Sequence, residues 1–228
     1  MIRALAFVLA AASCGGPDHA ASPGSAPSNE NPPTAAAVED EELATPEAAP
    51  PREGLAVAVF AGGCFWCMEK PFEYTEGVGE VLSGYTGGPE RGPSYQEVSA
   101  HRTGHVEAVR IVYDPGVVSY ERLLEVFWHN VDPTQDDGQF CDHGEQYRTA
   151  IFVANEEERR LAEASKAAIA AQLGRRVVTE IRDAAPFWVA EDYHQDFHRT
   201  NPAHYQRYRT GCGRDARLHE LWGEQAGH

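Results

Sequence analysis

The composition of the chain changes at residue 55, and this change limits how much of it can fold. Residues 15–54 are rich in proline, alanine, serine and glutamate, and from Cys14 to Gly54 eight acidic residues stand against one basic residue. Such a segment buries too little apolar surface to offset the entropy lost on folding. We therefore expect a disordered linker over residues 14–54 and one domain over residues 55–228.

The first thirteen residues are typical of an export signal. Arg3 supplies a positive charge, and the apolar run that follows is too short to cross a bilayer. Small residues then lead directly to Cys14, as in the lipobox of bacterial lipoproteins, although Ala11 stands where leucine is more usual. We expect removal of residues 1–13 as a signal peptide and lipidation of Cys14. This would place the domain on the periplasmic face of a membrane, and the alternative is a secreted or periplasmic protein without lipid.

The charge of the chain argues against a nucleic-acid-binding protein. The formal net charge is −16, and the sequence contains no strongly basic stretch. Phosphate contacts from lysine and arginine supply most of the affinity for nucleic acids. We therefore expect no nucleic-acid partner.

Hydrophobic periodicity after residue 55 predicts alternating strands and helices. The predicted strands are 57–60, 78–85, 106–113, 149–154 and 177–181, and helices are predicted to begin at Cys64, Ser119 and Asn155. Serine and asparagine are favourable N-caps, and Gly174 is suited to end the third helix. The order β-α-β-β-α-β-α-β predicts an α+β fold in which a mixed β-sheet with a ferredoxin-like core packs against helices. An irregular C-terminal tail is expected after Pro186.

Cys64 and Cys67 form a Cys-x-x-Cys motif directly after a predicted strand and two glycines. A cysteine at a helix N-terminus faces unpaired N–H groups and the positive end of the helix dipole, which favour the thiolate. We therefore expect Cys64 to have the lower pKa of the two and to be the nucleophile. Cys67, one turn further on, is placed to capture Cys64 once it is oxidised.

Three kinds of site are compatible with Cys-x-x-Cys alone: a thioredoxin-type disulfide exchanger, half of a metal site, and a peroxide or sulfoxide reducer. A metal site needs a second group of ligands with suitable spacing. Cys141 and His143 are candidates, but the sequence has no second Cys-x-x-Cys. The chain has five cysteines, an odd and sparse set that does not indicate a disulfide framework. We expect no metal and no cofactor.

Five sequence blocks resemble the A-type peptide methionine sulfoxide reductases, and they occur in that family's order from about Val57 to Gly223. The blocks are Gly63-Cys64-Phe65-Trp66; Gly84-Tyr85-Thr86-Gly87-Gly88 with Pro93-Ser94-Tyr95; Gly104-His105-Val106-Glu107-Ala108-Val109; Phe127-Trp128 with Asp132-Pro133-Thr134 and Asp142-His143-Gly144-Glu145-Gln146-Tyr147-Arg148; and Tyr193-His194-Gln195 with Asn201-Pro202. The resemblance implies reduction of the S epimer of methionine sulfoxide, since such reductases handle one epimer each.

The resemblance also implies a role for each residue of the site. Cys64 attacks the substrate sulfur and is left as a sulfenic acid when methionine departs. The other implied residues are Glu107 as the acid that protonates the oxygen, Tyr85 and Tyr147 as hydroxyls that hold this oxygen, Asp142 as a support for the polar cluster, and Phe65 and Trp66 as the apolar wall that receives the substrate methyl group.

A second thiol is expected to convert the sulfenic acid into a disulfide. Cys67 is one candidate because it is one helical turn away. Cys212 is the other and is slightly favoured, because it lies between glycines in the C-terminal tail, as the resolving cysteine does in many members of the family. A relay through both is compatible with the sequence. Cys141 is interpreted as a small buried residue.

The partners implied by the resemblance are oxidised proteins or free methionine sulfoxide as substrate, and thioredoxin or a thioredoxin-like protein as reductant. We expect a monomer, bound to a membrane if Cys14 is lipidated. The leading alternative is a periplasmic thiol-disulfide oxidoreductase that acts on protein disulfides. A lipid-anchored binding module with a structural disulfide is the non-enzymatic alternative. Neither requires the combination of Glu107, Tyr85 and Tyr147.

Overall fold

A six-stranded mixed β-sheet forms the centre of the computed structural model, which describes residues 45–227. The strands are β1 (Ala56–Gly62), β2 (Val78–Thr86), β3 (Val106–Tyr113), β4 (Gly138–Gln139), β5 (Asp142–His143), β6 (Thr149–Val153), β7 (Glu180–Asp183) and β8 (Phe187–Val189). The helices are α1 (Phe65–Glu73), α2 (Tyr95–Ser99), α3 (Tyr120–Trp128), α4 (Glu156–Leu173), α5 (Phe197–Thr200), α6 (Pro202–Gly211) and α7 (Arg214–Trp222).

The order of the strands confirms the predicted α+β class and its ferredoxin-like core. The sheet runs β7-β6-β1-β3-β2-β8, and β4 and β5 form a separate two-stranded sheet. Within the large sheet, only β6 and β7 are parallel neighbours. The units β1-α1-β2 and β3-α3-β6 therefore interleave as in a ferredoxin-like fold, with β7 and β8 added at the two edges. The core between sheet and helices includes Phe60, Ile111, Leu123 and Phe127, each fully buried.

Capping residues fix the ends of the helices as the sequence predicted. The Ser119 side chain accepts a hydrogen bond from the Arg122 amide at the start of α3. The Asn155 side chain accepts one from the Glu158 amide at the start of α4. Gly174 ends α4 in the left-handed conformation, with φ of 61°, which glycine adopts without steric cost.

The C-terminal part differs from the irregular tail that we expected: it contains β8 and three helices, α5, α6 and α7. Leu218 and Trp222 of α7 and Tyr205 of α6 are buried, so these helices pack as part of the domain. Their short length and aromatic composition hide the helical period. The strand predicted at 177–181 begins instead at Glu180, because the Val178 amide donates to the Pro133 carbonyl rather than to a strand.

Residues 45–54, expected to belong to the disordered linker, lie against the domain. The Thr45 hydroxyl donates to the Pro93 carbonyl at 2.8 Å, and residues 46 and 48 form backbone hydrogen bonds with β8. Since β8 is an edge strand with unpaired backbone groups, it offers partners that composition alone does not reveal. The predicted signal peptide, Cys14 and most of the linker lie outside the described residues. Within residues 45–227, no helix combines the length and apolarity needed to span a membrane.

Candidate active site

A cavity of about 90 Å³ lies at the N-terminus of α1 and brings together most of the predicted site residues. Its walls are formed by Cys64, Phe65, Trp66, Tyr95, Glu107, Asp142, Tyr147 and Tyr208. Six of these eight residues were predicted from the sequence. Tyr95 and Tyr208 were not predicted, and the predicted residues Tyr85, Cys67 and Cys212 are not among those that line the cavity.

Two glycines place Cys64 at the edge of this cavity. β1 ends at Gly62, where a Cβ atom would lie 2.5 Å from the Met68 sulfur, so any larger residue would force the buried Met68 side chain to move. Gly63 then takes a positive φ of 78°, a conformation that glycine adopts readily. Cys64 follows as the N-cap of α1 and is 6% exposed.

The two thiols of the inner pair, Cys64 and Cys67, are hydrogen-bonded to each other and buried. Burial raises the pKa of Cys64, and Cys67 and Glu107 raise it further. The hydrogen bond from Cys64 lowers the pKa of Cys67, with Arg214 and Arg209 contributing to the same direction. The two buried sulfurs therefore share one proton through their hydrogen bond.

Burial in this cavity raises the pKa of Cys64, which acts against the expectation that Cys64 is the more acidic thiol of the pair. The Cys64 sulfur accepts no capping hydrogen bond from the backbone of α1, so the helix N-terminus does not offset the cost of burying a charge there. Cys67 lies on the side of α1 that faces two guanidinium groups. Cys67, which is hydrogen-bonded to Cys64, is placed to accept the Cys64 proton.

Glu107 is a buried carboxyl group beside the nucleophile. It lies on β3 with 2% exposure, and its Oε2 accepts a hydrogen bond from the Phe65 amide at 3.1 Å. Burial raises the pKa of Glu107 to about 8, Asp142 and Cys67 contribute in the same direction, and the Phe65 amide opposes them. Glu107 is therefore mainly protonated at neutral pH, in the form that donates a proton.

The structure assigns the two tyrosines of the second block differently from the sequence prediction. Tyr85 is fully buried, and its hydroxyl donates to Glu191 at 2.9 Å, so the prediction that this hydroxyl faces the cavity is wrong. The other Glu191 oxygen accepts from the Tyr95 amide at 2.8 Å. Tyr95, the first residue of α2, is the tyrosine that lines the cavity.

A sequence signal for Tyr95 was available. Ser94 and Glu97 form a capping box, in which the Ser94 side chain accepts from the Glu97 amide and the Glu97 side chain accepts from the Ser94 amide. The spacing Ser-x-x-Glu predicts a helix start and would have placed Tyr95 at its first residue. Burial raises the pKa of Tyr95 to about 12, so its hydroxyl remains a donor at neutral pH.

Asp142, Tyr147 and Tyr208 complete the polar wall. The Tyr208 hydroxyl on α6 donates a short hydrogen bond to Asp142. Burial raises the pKa of Asp142, and the Tyr208 hydrogen bond opposes this rise. Burial also raises the pKa of Tyr147, which is therefore neutral. Tyr208 lies in the C-terminal region that the sequence predicted as irregular, and its role was missed for that reason.

The aromatic wall is held by stacking and by one hydrogen bond. The Trp66 ring is stacked on Phe197, with centroids 3.7 Å apart and planes at 7°. Its Nε1 donates to His194 Nδ1 at 3.1 Å. Burial lowers the pKa of His194 to about 4, so the imidazole is neutral and keeps an acceptor nitrogen for Trp66. Phe65 is 1% exposed and packs against Tyr85.

The outer pair, Cys141 and Cys212, forms a disulfide with Cα atoms 5.0 Å apart. The interpretation of Cys141 as a buried residue is wrong, because it lies exposed in the turn between β4 and β5. Cys141, Asp142 and Cys212 place possible metal-ligand atoms within 4.8 Å of one another, but the two sulfurs are bonded to each other. Cys212 caps α6, and its amide donates to the Tyr208 carbonyl, so the disulfide joins the two segments that carry Asp142 and Tyr208.

Comparisons with known proteins cover most of the chain. The family described as peptide methionine sulfoxide reductase matches residues 56–226. The peptide methionine sulfoxide reductase MsrA of Bacillus subtilis strain 168 is 53% identical over 173 residues, which is 75% of this chain and 98% of that protein. MsrA of Listeria innocua serovar 6a is 51% identical over 173 residues, with the same coverage of 75% and 98%.

Two solved structures share the fold of this chain. Mxr1 from Saccharomyces cerevisiae in reduced form has a TM-score of 0.63 at 27% identity, covering 68% of this chain and 90% of that chain. Methionine sulfoxide reductase A of Corynebacterium diphtheriae has a TM-score of 0.60 at 34% identity, covering 66% of this chain and 77% of that chain.

Proposed function

The chain belongs to the peptide methionine sulfoxide reductase family, and from this premise we propose that it reduces methionine sulfoxide to methionine with Cys64 as the nucleophile. One observation carries the proposal: a thiol, a protonated carboxyl group and two tyrosine hydroxyls meet in one small cavity with an aromatic wall. A disulfide exchanger needs only the thiols. A sulfoxide reducer needs the acid as well, because the oxygen leaves poorly unless it is protonated.

The size of the cavity limits what enters it. A volume of about 90 Å³ corresponds to the liquid volume of about three water molecules, which suits the methyl sulfoxide end of a side chain. The substrate methyl group would lie against Phe65 and Trp66, and the rest of the substrate would remain outside. We therefore propose that both free methionine sulfoxide and oxidised residues of proteins are accepted.

The reducing step transfers two electrons from Cys64 to the substrate. The Cys64 proton moves to Cys67, and the resulting Cys64 thiolate attacks the sulfoxide sulfur. Glu107 donates its proton to the oxygen, while the hydroxyls of Tyr95 and Tyr147 hold that oxygen in the manner of an oxyanion hole. The attack forms a bond between the Cys64 sulfur and the substrate sulfur. The protonated oxygen then passes from the substrate sulfur to the Cys64 sulfur as the sulfur–sulfur bond breaks, so that methionine leaves and Cys64 holds the oxygen as a sulfenic acid.

We propose Cys67 as the resolving residue. It is hydrogen-bonded to Cys64, whereas the Cys212 sulfur is bonded to Cys141. Attack of the Cys67 sulfur on the sulfenic sulfur forms a Cys64–Cys67 disulfide, and the oxygen leaves as water with the proton from Cys67. This reverses the slight preference for Cys212 that the sequence suggested.

The outer pair is suited to the return of electrons. In its dithiol form, Cys212 can attack the inner disulfide and Cys141 can then displace the mixed disulfide, leaving the inner pair reduced and the outer pair oxidised. This is the combination of oxidation states found in the structure. Because Cys141 is exposed, a thioredoxin-type dithiol is the proposed reductant of the outer disulfide.

Turnover of separate epimers tests the reaction. The protein is incubated with each epimer of a blocked methionine sulfoxide and dithiothreitol, beside Cys64→Ser. We expect turnover of the S epimer alone and its loss in the variant. If neither epimer reacts while the protein still exchanges disulfides with an unrelated substrate, the thiol-disulfide oxidoreductase is the correct alternative.

The proposed location rests on residues 1–14 of the sequence. We propose that the chain is exported, that Cys14 is lipidated, and that the domain acts as a monomer at the periplasmic face of a membrane. The charge of Arg3, the short apolar run and the small residues before Cys14 support this proposal. Mass spectrometry of the protein from its native host should show a lipid-modified N-terminal Cys14, and an unprocessed Met1 would contradict export.

A further inference from the structure

Arg214 is a buried cation beside the inner cysteine pair. It is the first residue of α7, is 1% exposed, and extends under the start of α1. Its Nη2 donates to the Gly62 carbonyl at 3.2 Å, to the Asn130 carbonyl at 2.8 Å and to the Met68 sulfur at 3.1 Å. Gly62 and Met68 flank the Cys-x-x-Cys motif, so the guanidinium group is anchored to both sides of it.

This guanidinium group has no carboxylate partner. Among residues 45–227, no Asp or Glu oxygen lies within ion-pair distance of Arg214, whose guanidinium carbon instead lies 4.4 Å from the centre of the Phe140 ring. Its Nε is buried without a hydrogen-bond acceptor in the same part of the chain. A buried charge without a counterion is costly. We therefore expect an anionic group near Arg214 that is not one of these ion-paired carboxylates.

Arg209 provides the contrast within the same region. It is 3% exposed, and its guanidinium group is paired with Asp215 at 2.6 Å. Its charge is therefore largely neutralised by a carboxylate. Arg214 forms no such ion pair among residues 45–227, and the anionic groups on which its charge acts are the sulfur of Cys67 and, beyond ion-pair distance, the carboxylate of Asp142.

We propose that Arg214 is a positioning residue that holds one negative charge on the Cys64–Cys67 pair, so that the two sulfurs share a single proton. The inference rests on the proposed function, in which that proton moves from Cys64 to Cys67 before Cys64 attacks. Without Arg214, the pair would hold its second proton more tightly, because burial disfavours the thiolate and the Cys64 hydrogen bond and Arg209 alone would oppose that effect. Arg214 itself does not line the cavity.

Several other groups act on the charge of Cys67, and the test must keep them constant. The charged and titratable groups facing it are Cys64, Arg214, Arg209, Asp142, Glu107, Tyr205 and Tyr208. Asp142 opposes the thiolate, whereas Arg209 and Arg214 favour it. Only the two arginines supply positive charge, and only Arg214 does so without a carboxylate partner.

The direct test is titration of the inner pair in the full chain. Cys14, Cys141 and Cys212 are replaced by serine, so that thiolate absorbance near 240 nm and the rate of iodoacetamide labelling report Cys64 and Cys67 alone. Arg214→Met should raise the pKa of the first ionisation of the pair, which is about 6 in the wild type, by about one unit. Labelling should then slow about tenfold at pH 5 and about twofold at pH 7, because the thiolate fraction falls by these factors. Arg214→Lys, which keeps the charge, should restore most of the wild-type rate.

Arg217→Met is the matched control. Arg217 lies on the same helix and is paired with Asp132 and Glu220, away from the cysteines, so its loss should leave the titration unchanged. If Arg214→Met does not fold by circular dichroism, Arg214→Gln keeps hydrogen-bond donors for the Gly62 and Asn130 carbonyls and removes only the charge. A folded, charge-free variant with a wild-type titration would overturn the proposal. Because titration requires no sulfoxide, a protein that titrates as expected but turns over no sulfoxide would contradict the proposed function alone.

Discussion

The inner and outer cysteine pairs occupy opposite environments, although Cys64 of the inner pair lines the cavity and Cys141 of the outer pair directly precedes Asp142 in the cavity wall. Cys64 and Cys67 are 6% and 1% exposed and carry free thiols at the start of α1. Cys141 is exposed, and its disulfide with Cys212 closes a sequence separation of 71 residues. A buried pair protects a reactive sulfenic acid from other thiols and oxidants. An exposed pair is accessible to a protein reductant, which the cavity is too small to admit.

The difference extends to the groups around each pair. The inner pair lies beside a protonated Glu107 and the cation of Arg214, which supply a proton donor and a stabilised negative charge. The outer pair lies beside Asp142. The negative charge of this carboxylate disfavours a thiolate close to it. The environment therefore assigns the sulfoxide chemistry to the inner pair and disulfide exchange to the outer pair.

The largest expected effect follows removal of the nucleophile of the inner pair. Cys64→Ser should lower turnover about 10⁴-fold or more, as loss of a nucleophile does in other enzymes. Turnover of the S epimer with dithiothreitol measures this. Equal losses in Cys64→Ser and in Cys141→Ser/Cys212→Ser would remove the distinction between the pairs.

Loss of the acid should have the next largest effect. Glu107→Gln keeps the size of the side chain but removes the acid that protonates the leaving oxygen. The value of kcat/KM should therefore fall about 10²- to 10⁴-fold. In the wild type, Glu107 loses its proton above its pKa of about 8. The wild-type kcat/KM should therefore fall about tenfold per pH unit above this value, and a flat profile to pH 10 would contradict the role of Glu107.

The same raised pKa affects stability. The folded state binds the Glu107 proton more tightly than the unfolded state, whose pKa is near the ordinary 4.5. Between pH 4.5 and about 8 the folded state therefore holds more protons, and the free energy of unfolding falls as pH rises. Urea titrations across this range should show a smaller fall in Glu107→Gln. The free energy of unfolding of Glu107→Gln should still fall somewhat over this range, because burial also raises the pKa of Glu69 to about 8.

The two tyrosines of the second block offer a finer test of the inner site. Tyr95→Phe removes a donor from the cavity and should lower kcat about 100-fold, as for one oxyanion-hole donor. Tyr85→Phe removes only the hydrogen bond to Glu191 and should cost about tenfold or less, since a single hydrogen bond contributes about 1 kcal/mol. The reverse order of kcat values would restore Tyr85 as the residue that holds the oxygen.

The smallest effect on dithiothreitol turnover is expected from the outer pair. Cys141→Ser/Cys212→Ser should retain turnover within about twofold, because a small dithiol reaches the inner disulfide directly. Turnover with a thioredoxin-type protein should fall much further. The same variant should lose up to about 4 kcal/mol of unfolding free energy, the chain-entropy value for a closed loop of this length, as measured by urea denaturation.

Local sequence predicted what depends on local sequence. The Ser119 and Asn155 caps and the glycines before Cys64 follow from residue type and spacing, and the structure has each of them. The role of Glu107 was implied only by the family resemblance, because the alternation of apolar residues along β3 does not distinguish a buried acid from a solvated one. Tyr85 was misassigned because its hydroxyl partner, Glu191, is 106 residues away. The residues next to Tyr85 in the sequence do not indicate a hydrogen-bond partner this far along the chain.

The outer disulfide was missed for a similar reason. Cys212 reaches Cys141 because α6 packs against the turn between β4 and β5, with Tyr208 on Asp142. That packing depends on helices whose short apolar stretches gave no helical period. The protonation of the inner pair also depends on Arg214, which reaches Gly62 across 152 residues of sequence.

A single turnover without reductant tests most directly whether the inner pair performs the chemistry. The chain is fully reduced in a Cys14→Ser background, freed of reductant and mixed with excess S epimer, and its disulfides are mapped by mass spectrometry over time. We predict that Cys64–Cys67 is the first disulfide to form, and that Cys141→Ser/Cys212→Ser yields one methionine per chain. A first product linking Cys64 to Cys212, with Cys67 still free, would contradict the assignment of resolution to the inner pair.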